Sequence, residues 1–411
     1  MDNKYDIMII GCGPAGVTCA KEAVRHNLKV LMTVDDVSAV GGICLNSGCI
    51  PTKFMLKNAG RMSWPSLISE KNEFITKLRE PVILFLRKIG VDIVVGKGVV
   101  SGPNEVTIAD QKFNGNNIVI AVGSSPVKIF NDEKVIVSEN FLNTESLGKR
   151  ILIVGGGYIG IEFACMLNKA FYDVTVYEKE PSILVNFPVI LTNRLKSLLV
   201  RSGIKIVTGR EVSESDFSEF DNVITAIGRK PNTDRLGLDT LGIKMNKGWI
   251  VTDSRLRTNI SNIYACGDVN AHCMLAYVAD YHAKICVADI LGKDIEENLN
   301  GIPECVFSIP QAASVGMSEE EAKNRGVHKK TYRIPFARFA SAHIYNDLDG
   351  FAYIIEGIDG KLLGGGILSN EAAELISILS VAVRAGLTVE KFKNNFFVHP
   401  TLSEGLTDIT D

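Results

Sequence analysis

No stretch of this sequence is apolar for long enough to cross a bilayer. The first apolar run, Ile7 to Ile10, meets Gly11 after four residues and reads as a strand. The residues before it carry one lysine and no cleavage-site pattern, so no signal peptide is expected and the expected location is the cytoplasm. An excess of charge of one sign is missing as well. A net charge of -3 gives no reason to expect nucleic acid or an anionic membrane as a partner. Metal-binding spacings are absent: no CxxC or HxxH pair occurs, and no metal site is expected. Nine cysteines are too few and too irregularly placed for a secreted disulfide scaffold. Seven of them, Cys12, Cys19, Cys165, Cys266, Cys273, Cys286 and Cys305, stand singly and read as buried small hydrophobes.

A single core is excluded by length, because 411 residues call for two or three domains. The chain contains one imperfect internal repeat. Tyr5-Asp-Ile-Met-Ile-Ile-Gly-Cys-Gly-Pro-Ala-Gly16 is a strand, a glycine turn and a helix start, and Arg150-Ile-Leu-Ile-Val-Gly-Gly-Gly-Tyr-Ile-Gly160 repeats that plan. A second strand follows each, at Lys29 to Met32 and at Asp173 to Tyr177. Two βαβ units of this kind point to two nucleotide-binding halves. Each is later closed by an apolar strand ending in a glycine turn, at Gly123 and at Gly228. A further strand, Asn262 to Ala265, runs into Gly267 and Asp268 and makes best sense as a return to the first half.

Glycines at 11, 13 and 16 let the backbone turn sharply and approach a pyrophosphate, which then meets the free N–H groups of a helix N-terminus. A lone turn of this type also simply joins a strand to a helix; here the strand–turn–helix context occurs twice. Eighteen positions beyond Gly160 stands Glu178, whose carboxylate suits ribose hydroxyls and repels a 2′-phosphate, favouring NAD over NADP. The matching place after Gly16 holds Val34, with Asp35 next to it. Either Asp35 takes the acid's part with a small shift, or it is a solvated turn residue and the ribose is held otherwise.

The remaining pair of cysteines lies in Gly41-Gly-Ile-Cys44-Leu-Asn-Ser-Gly-Cys49-Ile-Pro51-Thr-Lys53. Spacing alone is weak evidence here. On a regular helix five residues rise about 7.5 Å and point apart, farther than disulfide Cα atoms normally stand. A Cys44–Cys49 bond therefore needs an irregular turn, which Gly41, Gly42 and Gly48 permit. So short a loop restrains the unfolded chain little and suits cycling better than stapling.

The run Gly42 to Lys53 resembles the redox-active stretch of the class I flavoprotein disulfide reductases. The two glycine motifs, the turns at Gly123 and Gly228, and Ala265-Cys-Gly267-Asp268 fit that family in order, from Tyr5 to Leu406. Within it, Cys44-Leu-Asn-Ser-Gly-Cys49-Ile-Pro-Thr-Lys53 and His399-Pro400-Thr-Leu-Ser-Glu404 are most similar to the dihydrolipoamide dehydrogenases. The implied fold is α/β: two Rossmann-like nucleotide-binding domains, for FAD (1–147 and 249–300) and for NAD (148–248, shortened), plus a C-terminal α+β dimerisation domain (301–411). A very apolar helix there, with Ala372, Leu375, Ile376, Leu379 and Val383 in helical spacing and Ile378, Val381 and Ala382 between them, is expected to be buried all round, in a core or under a partner subunit.

The resemblance implies roles residue by residue. FAD would lie over Gly11, Gly13 and Gly16, with Asp35, Gly98, Gly123 and Ala276 near it and Asp268 on its ribityl chain. Lys53 would approach the flavin and pair with Glu162. NAD would take Gly155, Gly157, Ile159 and Gly160, with Glu178 on its ribose, Gly228 beside it and Tyr158 as a movable gate. Cys44 would exchange with substrate and Cys49 would face the flavin as a thiolate, while His399, oriented by Glu404, would be the base. The His399–Pro400 bond is expected to be cis, as in the family. The implied assembly is a homodimer in which each His399 serves the partner's cysteines. The implied partners are the lipoyl domains of 2-oxo acid dehydrogenase complexes or of the glycine cleavage system. Three departures stand against this: a short stretch from Glu178 to Ala226, Tyr277 in place of a family histidine, and Val34 in place of the adenosine-side acid. They leave open a related enzyme with another disulfide substrate, or a weakened flavoprotein kept for assembly.

Overall fold

The computed structural model describes residues 4–409; the outermost residues of the expected first and last domains, 1–3 and 410–411, lie outside that range. The chain forms two compact units. One contains the chain up to Ile129, Val137–Ser146 and Ile227–Asn298; the other contains Phe130–Ile136, Leu147–Ala226 and the chain from Leu299 on.

The first unit is built on a seven-stranded sheet in the order Asp92–Val95, Val30–Val34, Lys4–Ile10, Gln111–Ile120, Glu105–Ile108, Gly98–Gly102, with Ile263–Ala265 also paired to Gln111–Ile120. Lys4–Ile10 runs parallel to both neighbours, with Ile10 opposite Thr33 and Ile120. A central parallel strand is covered on both faces, which explains an unbroken run of buried apolar residues from Ile7 to Ile10. Ile263–Ala265 lies parallel to the end of Gln111–Ile120, so the chain returns to its first half. Helix Pro14–Arg25 begins after Gly13 with proline in its first turn, where the missing N–H has no helical partner to lose. Its buried face of Ala15, Cys19, Ala20 and Ala23 is narrow enough to pack directly on helix Ala276–Ile290.

Residues 227–248 belong to this unit rather than to the nicotinamide half, where the sequence reading put them. Strand pairing is the reason. Arg229–Pro231 is antiparallel to Ser124–Pro126, and the Val100 N–H donates to the carbonyl of Leu236.

The second unit has a five-stranded sheet in the order Lys205–Thr208, Asp173–Glu178, Arg150–Val154, Asn222–Thr225, Val135–Val137. The first three pairings in that order are parallel. Between Thr208 and Asn222 the chain makes only a 3-10 turn, Glu214–Glu219, where a strand meander was expected to be trimmed. The C-terminal part is an antiparallel sheet in the order Pro303–Val306, Gln311–Gly316, Leu362–Ser369, Phe351–Gly357, His328–Pro335. Helix Ala372–Arg384 lies on its two central strands and buries Ala372, Leu375, Ile376, Leu379 and Ala382. The expected burial on every side is not found within the single chain. Val381 is 68% exposed, because only one face of the helix meets the sheet.

The fold is thus α/β with two Rossmann-like halves and a C-terminal α+β region. Among the described residues no helix is long and apolar enough to cross a membrane. Five of the seven single cysteines are buried as expected. Cys273 and Cys305 are only partly so, since one lies in a loop and the other on an edge strand.

Candidate active site

Both glycine turns have the shape a dinucleotide requires. Gly11 has φ +112°, and a Cβ there would stand 2.4 Å from the Ala121 carbonyl oxygen. A Cβ on Gly16 would stand 2.1 Å from the Gly11 carbonyl oxygen, so the helix can enter this close only with glycine. The second turn repeats this at Gly155 (φ +107°) and Gly160, where the clash would be at 1.9 Å. Gly13 and Gly157 cap their helices with no side chain over the first N–H groups, leaving those donors for phosphate. These cradles fit FAD and a nicotinamide nucleotide.

Glu178 ends its strand against the second turn. Its Oε2 accepts from the Gly156 N–H at 2.6 Å and its Oε1 from the Glu180 N–H at 2.8 Å, so the carboxylate is held at the turn with lone pairs to spare. Ile159 lies half-buried in the first turn of helix Tyr158–Lys169. Asp35 is exposed just beyond Val34. It lies close enough to the first turn to act on Cys12, whose thiol is pushed up to about 11 by burial and then by the Asp35 charge. Gly98 starts a strand directly against Ile10 and Thr33, within 3.0 Å of both at its would-be Cβ.

The redox pair sits where the sequence reading required an irregular turn. Cys44 lies in the short helix Gly42–Asn46, and Cys49 opens helix Cys49–Asn58. The break falls at Gly48, where a Cβ would stand 2.9 Å from the Ile43 carbonyl oxygen. Both sulfurs are thiols and they are hydrogen-bonded to each other. The Cys44 thiol donates, which pulls the exposed Cys49 down to about 7, against burial, with a smaller contribution from the Arg229 charge. Cys44 is pushed strongly up, first by giving that bond and then by burial. Lys53 is one helical turn beyond Cys49 on the same face.

The pair is stitched to the first glycine turn. The Gly41 N–H donates to the Cys12 carbonyl at 2.8 Å, and a Cβ on Gly42 would stand 2.5 Å from the Gly13 Cα. The Asn46 amide donates to the carbonyls of Val40 and Gly42, and Arg79 donates to the Asn46 oxygen at 3.1 Å. Asn46 was only part of a motif in the sequence; here it locks the loop that carries the sulfurs.

Asp268 sits on the turn after Gly267 (φ +78°) and accepts from the Ser124 hydroxyl at 2.6 Å. Arg229 donates to that hydroxyl at 2.7 Å and to the Ser124 carbonyl at 2.6 Å, and pairs with Glu139 at 2.9 Å. Sequence reasoning missed Arg229. Its one signal was its place directly after Gly228 (φ +115°), the strand-end glycine opposite Gly123. Ala276 begins helix Ala276–Ile290, with Tyr277 next to it 47% exposed.

Behind Gly267 lies a bridge that no short motif could reveal. Glu297 accepts from His282 Nε2 at 2.5 Å and from His272 Nδ1 at 2.8 Å. Burial opposes the charge on Glu297, but the two histidine hydrogen bonds outweigh it and hold the carboxyl at about 2. The three groups have metal-ligand chemistry and converge within 4.8 Å. His282 Nδ1, however, accepts from the Gly267 N–H at 3.2 Å, which puts the ring proton on Nε2, between it and Glu297. A cation would have to displace that proton, so the arrangement serves to hold the Gly267–Asp268 turn.

In the second unit, Tyr158 donates to Glu304 at 2.5 Å and Glu162 accepts from the Phe307 N–H at 3.1 Å. His399 follows a similar logic to a catalytic base. Its Nδ1 lies 2.9 Å from Glu404 Oε2, and Glu404 Oε1 accepts from the Thr401 N–H. The carboxylate accepts a hydrogen bond from Nδ1–H, leaving Nε2 as the open nitrogen on a ring that is 77% exposed. The His399–Pro400 bond is cis.

Residues 5–283 match the family described as pyridine nucleotide-disulphide oxidoreductase, and residues 302–409 match the dimerisation domain of that family. The chain is 32% identical to a dihydrolipoyl dehydrogenase of Staphylococcus aureus, covering 98% of this chain and 95% of that one. It is 33% identical to a dihydrolipoyl dehydrogenase of Bacillus subtilis, covering 98% and 94%. Among solved structures, the HOCl-induced flavoprotein disulfide reductase RclA from Escherichia coli superposes with a TM-score of 0.92 at 28% identity, over 98% of this chain and 99% of that one. With two dinucleotide cradles, a hydrogen-bonded cysteine pair and this likeness over nearly its whole length, the chain belongs to the pyridine nucleotide-disulphide oxidoreductases, flavoprotein enzymes that work with FAD and a pyridine nucleotide.

Proposed function

We propose that this chain oxidises dihydrolipoyl groups to lipoyl groups and reduces NAD⁺. The observation that supports this most is the division of acidity between the two sulfurs, Cys49 lowered to about 7 and Cys44 raised, in a chain that also carries the His399–Glu404 pair.

In the oxidised enzyme Cys44 and Cys49 form a disulfide. A substrate thiol gives its proton to His399 Nε2, and the thiolate attacks the Cys44 sulfur. A mixed disulfide forms, the Cys44–Cys49 bond breaks, and Cys49 leaves as a thiolate, which its low pKa favours. The second substrate thiol then attacks its own sulfur in the mixed disulfide, closing the lipoyl ring and releasing Cys44. FAD held over Gly11, Gly13 and Gly16 would supply the two-electron relay between the dithiol and NAD⁺. Glu404 keeps the His399 ring in the tautomer that can accept a proton. Glu178 favours NAD over NADP, and Tyr158 yields to the arriving nicotinamide. The active form is a homodimer in which His399 serves the partner's cysteines. An apolar surface beside His399, with Phe396 fully exposed and Val398 75% exposed, is of the kind a partner subunit covers. Lipoyl domains of a 2-oxo acid dehydrogenase complex or of the glycine cleavage system are the partners this chemistry serves.

A second reading, a different disulfide or oxidant as substrate, draws on the TM-score of 0.92 with RclA and on Tyr277. One pair of assays separates them. NADH formation from dihydrolipoamide is expected; NADPH consumption with glutathione disulfide, without the first activity, would favour the second reading. Turnover with neither would leave a flavoprotein kept for assembly.

A further inference from the structure

Helix Tyr158–Lys169 meets the segment Glu304 to Ile309 along one face. The Tyr158 hydroxyl donates to Glu304 Oε2, Glu162 accepts from the Phe307 N–H, and Cys165 is bonded to the backbone of Ile309. Positions 158, 162 and 165 are spaced i, i+4 and i+7, so they share that face. The contacts at Glu162 and Cys165 use backbone of the facing segment and fix the helix. The contact at Tyr158 differs: it joins two side-chain tips, at the far end of a long ring. Phe187 touches that ring edge-on, with centroids 5.9 Å apart, and gives it a side wall without stacking on it. Glu304 thus holds the hydroxyl end of the ring.

We propose that Glu304 latches Tyr158 in its resting position and thereby sets how readily the nicotinamide nucleotide binds. The inference rests on the reading of Tyr158 as the side chain that yields to the nicotinamide. A phenol donating to a carboxylate makes one of the stronger neutral-to-charged hydrogen bonds, and the ring cannot leave without breaking it. When only a fraction of the protein is competent to bind, apparent affinity falls by that fraction. The latch thus weakens nucleotide binding in the resting enzyme. It also returns the ring once the nucleotide has gone. Glu304 touches neither sulfur nor substrate in this account and acts through Tyr158, as a positioning residue.

The test uses the full-length, FAD-loaded protein, four single variants, Glu304→Ala, Glu304→Gln, Tyr158→Phe and Tyr158→Ala, and the double variant Glu304→Ala/Tyr158→Phe. The dissociation constant for NAD⁺ is measured by calorimetry, and flavin reduction by NADH is followed by stopped flow. Glu304→Ala is expected to tighten NAD⁺ binding about three- to tenfold, with flavin reduction by dithiol unchanged. Tyr158→Phe, which keeps the ring and loses the hydroxyl, should tighten NAD⁺ binding to the same extent, and the double variant should bind no more tightly than either single change. Glu304→Gln retains an acceptor oxygen without the charge and should fall between. Additive effects in the double variant, or equal changes in the nucleotide and dithiol reactions, overturn the latch. If Tyr158→Ala alters NAD⁺ binding and neither Glu304 variant does, the latch fails while the gate stands. If Tyr158→Ala changes nothing, the gate fails and the latch with it.

Discussion

The Cys44 thiol gives its hydrogen bond to the sulfur of Cys49, and that one bond separates their acidities in opposite directions. An isolated thiol titrates near 8.5. The bond holds Cys49 below that value, which enlarges its thiolate fraction near neutral pH. The low value stabilises the deprotonated form, and that form is lost as pH falls through about 7. Cys44→Ala removes the donor and should move the Cys49 titration upward by about one unit or more, whereas Cys44→Ser keeps an O–H donor and should move it less. Thiolate ultraviolet absorbance against pH reads both.

The same division assigns the sulfurs their partners. Cys49→Ser should abolish the long-wavelength thiolate-to-flavin absorbance of the reduced enzyme, while Cys44→Ser should leave that band in place and stop exchange with substrate. A band surviving in Cys49→Ser would reverse the assignment.

His399→Ala is expected to slow flavin reduction by dihydrolipoamide by roughly 10²–10⁴-fold, the usual loss for an acid–base group. Reduction by NADH should be unaffected. Glu404→Gln leaves the ring in place with a poorer partner, and a loss of about tenfold is expected in the same half-reaction. Rapid-mixing measurement of the two half-reactions separates these outcomes, and an unchanged dithiol rate in His399→Ala would remove His399 from the mechanism.

Glu178 receives two backbone N–H groups at the second glycine turn, and the proposed function sets its carboxylate on the NAD ribose. Glu178→Ala should therefore weaken NAD⁺ binding by about 10- to 100-fold, the worth of charge-assisted hydrogen bonds. It should also narrow the preference over NADP⁺, because the carboxylate no longer repels a 2′-phosphate. Steady-state KM values for the two nucleotides give the ratio.

Gly16→Ala forces a methyl group to within 2.1 Å of the Gly11 carbonyl oxygen, a contact that only a shift of the backbone can relieve. The expected result is a protein that folds with little bound flavin, seen as a low flavin-to-protein absorbance ratio after purification. Full flavin occupancy in this variant would remove the first turn from the FAD site.

Arg229 shows why some of the site could not be read in advance. It reaches Ser124, which in turn reaches Asp268, and each of these two links spans more than a hundred residues of chain. Nothing local to any of them marks the connection. Tyr158 with Glu304 and His282 with Glu297 are of the same kind, side chains whose partners are chosen by which strands and loops happen to converge. The glycine turns and the cysteine stretch were legible for the opposite reason. Gly11 with Gly16, and Cys44 with Gly48 and Cys49, work through neighbours only a few residues away, so their spacing carries their geometry. The helix Ala372–Arg384 falls between these cases. Its periodicity showed a helix, but composition could not tell that one side, with Val381, would stay uncovered within the chain.

Read alone, the amino-acid order established two strand–glycine-turn–helix units, a cysteine pair that must break its helix to meet, and a histidine five residues before its carboxylate. All of these are short-range constraints, dictated by backbone sterics and side-chain reach. Tertiary structure decided the rest: the placement of residues 227–248 with the first unit, and the side chains that brace Asp268 and Tyr158. Those depend on fields and hydrogen bonds between segments distant in the chain, and such contacts exist only once the sheets have brought the segments together.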